Sequence, residues 1–133
     1  MSGFRLQIVT PDGSFFNGEA EKLIVRTVGG DVCILARHCD YVTALGMGEA
    51  QVFTEGGKRS AACIGGMLAV TNGRVRLVPT TFEWADQIDT ERAARSEAKA
   101  REQLAKKLSG QELELAEARL KRALVRSSVA KRI

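Results

Sequence analysis

The 133-residue chain reads as an N-terminal all-β sandwich over residues 1–85 followed by a C-terminal two-helix antiparallel hairpin over residues 86–133. Three observations predict this division. Twelve of the thirteen glycines precede residue 85, and Gly110 alone follows it. All seven aromatic residues, from Phe4 to Trp84, lie in the first part, where short apolar stretches alternate with turn signals in the cadence of a sandwich or barrel. From Asp86 onward Ala, Leu, Glu, Lys, Arg and Gln dominate, and residues 86–108 contain neither Gly nor Pro, the composition of helix.

The elements follow in order. Phe4, Leu6 and Ile8 alternate with Arg5 and Gln7, which predicts a half-buried strand, and Pro11-Asp12-Gly13 turns the chain. Asn17-Gly18, Gly29-Gly30, Gly46-Met47-Gly48 and Gly56-Gly57 continue as turn signals. Asn72-Gly73, set between Met67–Val70 and Arg74–Val78, is the strongest hairpin signal in the chain. In the helical part, Gly110 breaks the first helix, and Ser109 with Glu112 three residues on reads as a capping box for the second. Two helices of about 18 to 20 residues are expected, in line with ordinary helix lengths. Leu113, Ala116, Leu120 and Leu124 are expected to face Ala94, Ala98, Ala105 and Leu108. That seam is small and alanine-rich, so the hairpin is expected to hold its position weakly.

Charge follows the same boundary. Residues 1–85 carry eight basic and eight acidic side chains, whereas the net charge of +4 resides in residues 86–133. It is concentrated in Arg119, Lys121, Arg122, Arg126, Lys131 and Arg132, a stretch without an acid. An acidic neighbour suits that end. No apolar run approaches the ~18 residues of a membrane span, so a soluble, cytosolic chain is expected. Cys33, Cys39 and Cys63, odd in number and without a Cys-x-x-Cys pair, suit a reducing compartment.

Catalytic patterns fail one by one. Gly57-Lys58 is followed by Arg59 and preceded by Val52 where a phosphate loop needs its first glycine. Gly46-Met47-Gly48 runs on into Glu49-Ala50-Gln51 and lacks the third glycine of a dinucleotide fingerprint. His38, the one histidine, would have to serve any Cys-His dyad, and neighbouring Cys39 points the other way on an extended chain. Cys33, His38, Cys39 and Cys63 do not have zinc-knuckle spacing, and small buried hydrophobes are the ordinary role of free cysteines. Glu19 and Glu21 suit a solvated strand edge. The reading is a non-enzyme.

One constellation remains. Asp89 and Arg92 stand three apart and Arg122 and Arg126 four apart, so each pair projects from one side of its helix. In a closed hairpin the start of the first helix lies beside the end of the second, and three guanidiniums converge near one carboxylate. Spacing alone leaves two readings open: a polyphosphate site, or a solvated basic face with ion pairs to Glu91, Glu117 and their neighbours.

Phe4–Pro11, Phe16-Asn17-Gly18-Glu19-Ala20-Glu21, Gly30-Asp31, His38, Thr43-Ala44-Leu45 and Gly65-Gly66-Met67-Leu68-Ala69-Val70, taken in order, resemble the ε subunit of bacterial F-type ATP synthase. The resemblance runs along essentially the whole chain. It implies a non-catalytic rotor subunit whose sandwich meets the γ subunit and the c-ring. Its helix hairpin moves between a folded and an extended form and restrains ATP hydrolysis, its basic end meeting acidic segments of the α and β subunits. No cofactor is required and no nucleic acid is bound. Membrane contact is indirect, at the cytoplasmic face, through the complex. In some members ATP binds the folded hairpin through Ile/Leu-Asp-x-x-Arg-Ala, and this chain has Ile88-Asp89-Thr90-Glu91-Arg92-Ala93. The resemblance thereby implies a regulatory ATP, with Glu83, Ile88, Asp89 and Ala93 toward base and ribose and Arg92, Arg122 and Arg126 toward phosphates. Lys99 stands where some of those members have arginine. The loop Leu35-Ala36-Arg37-His38-Cys39-Asp40-Tyr41 lacks the Pro-Gly before His38 and the proline after it, which bears on family contacts at Asp31, His38 and Tyr41. A basic-tailed nucleic-acid-binding module is the alternative, although no aromatic follows Trp84 to stack on bases.

Overall fold

Alternation builds the first strand as expected. In the computed structural model, which describes residues 3–106 and 108–131, β1 (Phe4–Thr10) buries Phe4, Leu6 and Ile8 and leaves Arg5 exposed. Seven more strands follow: β2 (Gly13–Ala20), β3 (Lys22–Thr27), β4 (Gly30–Leu35), β5 (Tyr41–Ala44), β6 (Met47–Thr54), β7 (Gly57–Thr71) and β8 (Arg74–Trp84). They pair in the order β2-β1-β8-β7-β6-β3-β4, with β5 on the second half of β7. All contacts are antiparallel except β1 on β8. The first half of β7 pairs with β6 and the second with β5, so this 15-residue strand serves both layers of the sandwich.

The corner between the layers is at Gly65-Gly66, with φ of 68° and 99°. Leu45 N–H donates to the Gly66 carbonyl at 2.8 Å, Gly65 N–H to the Gly46 carbonyl at 3.0 Å, and Gly46 N–H to the Arg26 carbonyl at 3.1 Å. The backbone polar groups that the bend takes out of the ladder are thus satisfied locally. Leu6, Ile8, Leu23, Val25, Ile34, Leu68, Val70 and Leu77 fill the space between the layers. Each such side chain contributes about 1.5–3 kcal/mol by leaving water. Phe82 stacks edge-on against both Trp84 and Phe15, at 4.9 and 5.3 Å between centroids.

Turn chemistry repeats. Thr10, Thr27 and Thr54 each precede a two-residue turn closed by Gly13, Gly30 or Gly57, and each hydroxyl donates back to that glycine's carbonyl. Asn72-Gly73, at φ 51° and 77°, makes the two-residue β7–β8 turn with both central residues left-handed. Asn17-Gly18 is different. It lies inside β2, level with Gln7 and Leu6, because pairing with β1 overrides the local turn tendency. Arg37 adopts φ 64°, a conformation that glycine takes without strain, in the loop that lacks the expected Pro-Gly.

The chain divides after Trp84 into a second unit, Ala85–Ile133. A single 3₁₀ turn, Ala85–Gln87, precedes α1 (Thr90–Leu104) and α2 (Gln111–Ala130). The helices pair antiparallel, and α2 packs back on the 3₁₀ turn. The first helix is 15 residues, shorter than its composition suggests, because Asp89 caps it and delays its start. The Ser109–Glu112 capping box does not form: α2 begins at Gln111, and Gly110, at φ 61°, occupies the cap position with no side-chain bond. The seam also shifts. Ala93 and Ala100 of α1 are buried, not Ala94, Ala98 and Ala105, and α2 buries Ala116 and Ala123 while Leu124 is 40% exposed. Leu113, Leu120 and Leu108 are half-buried. Arg132 of the basic tail lies outside the described residues.

Candidate functional site: a basic cleft along the helix hairpin

Asp89 starts α1 because its carboxylate accepts the Arg92 N–H at 3.0 Å, satisfying one of the four open donors of the first turn. From there Arg92, Ser96, Lys99 and Gln103 recur at intervals of four, three and four, which places them on one face. Arg119, Arg122 and Arg126 do the same on α2. Arg119 Nη1 donates to Gln103 Oε1 at 3.3 Å across the hairpin. An antiparallel pairing through that bond sets Lys99 level with Arg122 and Ser96 level with Arg126.

The result is a cleft of about 340 Å³ lined by Ser96, Lys99, Ala100, Gln103, Arg119, Arg122, Ala123 and Arg126. Four of these are cations and none is an acid. Two acids of α1 are engaged elsewhere, Glu97 with Arg101 at 3.0 Å and Glu91 with Arg95 at 3.9 Å. Those exposed pairs contribute little to stability. A cleft of this volume with convergent guanidiniums can take the oxygens of a polyphosphate.

The structure brings Arg122 and Arg126 together in the cleft and puts Arg92 on the same face of α1, one turn beyond Ser96. Asp89 serves as helix cap. Ile88 and Ala93 are 8% and 4% exposed and present almost no side-chain surface. Glu83, half-buried on β8 opposite Ala62, belongs to the sandwich unit. Ser96 and Gln103 were not singled out in the sequence, and Arg119 stood out there only as part of the basic stretch. The signal that finds them is the shared face of positions 92, 96, 99 and 103 set against 119, 122 and 126.

Asp89→Ala is expected to cost about 1 kcal/mol of helix stability, whereas Asp89→Asn keeps the cap. Thermal melting followed by the helical circular dichroism signal checks this, and equal losses for both variants would show that the carboxylate does something other than capping.

Elsewhere, His38 Nδ1 lies 2.8 Å from the Cys39 carbonyl, so in the tautomer that donates there Nδ1 cannot accept a proton from the Cys39 thiol 4.0 Å away. Burial pushes the Cys63 thiol up to about 12, and Cys33 and Cys39 are exposed. Among the described residues no three His, Cys, Asp or Glu side chains are grouped to hold a metal ion. Asp31 is ion-paired with Arg26 at 2.6 Å, and the His38 ring stands 5.9 Å from that of Tyr41. Among the described residues no helix is long and apolar enough to cross a membrane.

Comparison with known proteins agrees with this architecture. Residues 3–85 match the family model of the ATP synthase delta/epsilon chain β-sandwich domain, and residues 86–131 that of its long α-helix domain. The chain is 42% identical over 131 residues to the ATP synthase epsilon chain of Ruminococcus albus, covering 98% of each. It is 35% identical over 131 residues to that of Shouchella clausii, covering 98% of this chain and 97% of the other. In fold it matches a chain of the Euglena gracilis mitochondrial ATP synthase with a TM-score of 0.80 at 23% identity, over 91% of this chain and 77% of that one. A sandwich and a two-helix hairpin, each matched by its own domain model and together by full-length relatives, make this chain a member of the ATP synthase delta/epsilon chain family.

Proposed function

We propose that the chain is a non-catalytic central-stalk subunit of an F-type ATP synthase, peripheral on the cytoplasmic face of the membrane. Its sandwich joins the γ subunit to the c-ring, and its hairpin restrains ATP hydrolysis. The observation that supports this best is the match to bacterial epsilon chains along nearly the whole of both chains. In this reading the basic residues from Arg119 to Lys131 meet acidic segments of the α and β subunits when the hairpin opens. A small, alanine-lined seam suits an element that must leave its partner, since little apolar area is lost on opening. When closed, the hairpin takes a regulatory ATP, its phosphates among Lys99, Arg122 and Arg126 with Arg92 at the edge, and its nucleoside toward Asp89.

The test is reconstitution of the synthase of the same organism with and without the chain. Adding the chain is expected to restore ion pumping driven by ATP and to slow uncoupled hydrolysis. Lys121→Ala with Lys131→Ala, basic side chains outside the lining of the cleft, is expected to keep the pumping and weaken the restraint. Hydrolysis and pumping that are indifferent to the chain would overturn the assignment.

A further inference from the structure

The cleft of the closed hairpin is a ladder of three rungs, each setting one residue of α1 level with one arginine of α2. Gln103 meets Arg119 through the 3.3 Å bond, and in the register that this bond sets, Lys99 is level with Arg122 and Ser96 with Arg126. The rungs stand three or four residues apart, about 5 Å of helix each. Asp89 lies beyond the Ser96 rung, at the start of α1. Gln103 and Arg119 form the opposite end, toward the turn between the helices.

That last rung differs from the other two. Arg119 is exposed and Gln103 half-buried, so the bond ties a long, solvated side chain to a steadier one. A carboxamide does this without neutralising the guanidinium. The bond uses one N–H of Arg119 and leaves its other donors for an anion. Because the side chain is ordered in advance, less entropy is lost when a ligand arrives.

The ladder also stops there. Gln103 and Arg119 line a second hollow, of about 240 Å³, together with Lys106, Leu108, Glu112 and Leu115. Two leucines and a carboxylate replace the acid-free lining of the cleft. A phosphate chain running past Arg119 would meet apolar surface and a like charge, both unfavourable to it.

We infer that Arg119, held by Gln103, recognises the terminal phosphate and so separates a nucleoside triphosphate from its diphosphate. The inference rests on the reading in which the closed hairpin takes ATP with its nucleoside toward Asp89. In that orientation the phosphates run from the Ser96–Arg126 rung toward the tip of the hairpin. A diphosphate ends by Lys99 and Arg122, and the third phosphate is the one carried toward Arg119, whose planar fork suits two of its oxygens. Gln103 acts through Arg119 and is a positioning residue.

The experiment titrates the full-length chain calorimetrically with ATP and with ADP. The parent chain is expected to bind ATP about 10-fold more tightly than ADP, the worth of one charge-assisted contact. Arg119→Gln is expected to weaken ATP binding by about the same 10-fold and to leave ADP binding unchanged, so that the two affinities meet. Arg119→Lys, which keeps the charge without the fork, is expected to recover part of the preference. Gln103→Leu leaves every cation in place and removes only the tether, and it is expected to reduce the preference. Gln103→Glu neutralises Arg119 where it stands and is expected to abolish it. Loss of helix packing would weaken both nucleotides alike, so the ratio of the two affinities is the readout. Equal weakening of ATP and ADP by Arg119→Gln, an ATP affinity that this variant leaves unchanged, or a parent chain without preference would overturn the terminal-phosphate role and leave the ATP reading standing. A parent chain that binds neither nucleotide would overturn both.

Discussion

Gly66→Ala is expected to prevent the sandwich from folding stably. A Cβ at this position would lie 2.1 Å from the Val78 carbonyl oxygen, 2.6 Å from Pro79 Cα and 2.9 Å from Thr80 N, all backbone atoms of β8. No rotamer change can clear them. Moving β8 would break its ladder to β7 and to β1 and withdraw Leu77 and Phe82 from the core. The backbone at φ 99° is also one that side chains rarely adopt. A loss above about 4 kcal/mol follows, against a total of about 5–15 for an ordinary domain. Gly57→Ala is the control: its φ is 119° but nothing lies within 4 Å of the added carbon, so only backbone strain of about 1–3 kcal/mol applies. Urea unfolding of the two variants separates the cases. A Gly66→Ala midpoint equal to that of Gly57→Ala would show that β8 can move aside.

That contrast also marks what the sequence could disclose. Phe4, Leu6 and Ile8 announced β1 because the strand has one wet and one dry face, and Asn72-Gly73 announced its hairpin because both residues tolerate positive φ. Asn17-Gly18 carries the same local signal, yet it is a strand, since the partner that decides the matter is β1, ten residues earlier. The role of Gly66 was equally hidden, for it depends on Val78 and Pro79 approaching from another strand. On α1 the trouble was phase. Ala93, Ala94, Ala98, Ala100 and Ala105 allow more than one seam, and only packing against α2 selects Ala93 and Ala100. The candidate site was half legible for the same reason. Arg122 and Arg126 stand out as a pair, but Ser96 and Gln103 join them only once the bond from Arg119 fixes how the helices slide past each other.

The second large effect concerns the cleft. In calorimetric titration of the intact chain with ATP, Arg126→Ala and Arg122→Ala are each expected to weaken binding by about 10- to 100-fold, the worth of a charge-assisted hydrogen bond removed from a phosphate. Both residues line the cleft, and no Asp or Glu is among the residues that line it. Lys99→Arg is expected to act in the opposite direction, because a planar fork can engage two phosphate oxygens where an ammonium engages one. Arg95→Ala and Arg101→Ala are the controls, since both side chains are tied to acids of their own helix, Glu91 and Glu97. Losses of equal size at positions 95, 101, 122 and 126 would mean that ATP senses only the net charge of the helices. A loss confined to 122 and 126, reversed in sign at 99, would mean that the cleft itself holds the phosphates. The closed hairpin would then be favoured by the ratio of ATP concentration to its dissociation constant, which makes the restraint on hydrolysis rise as ATP falls.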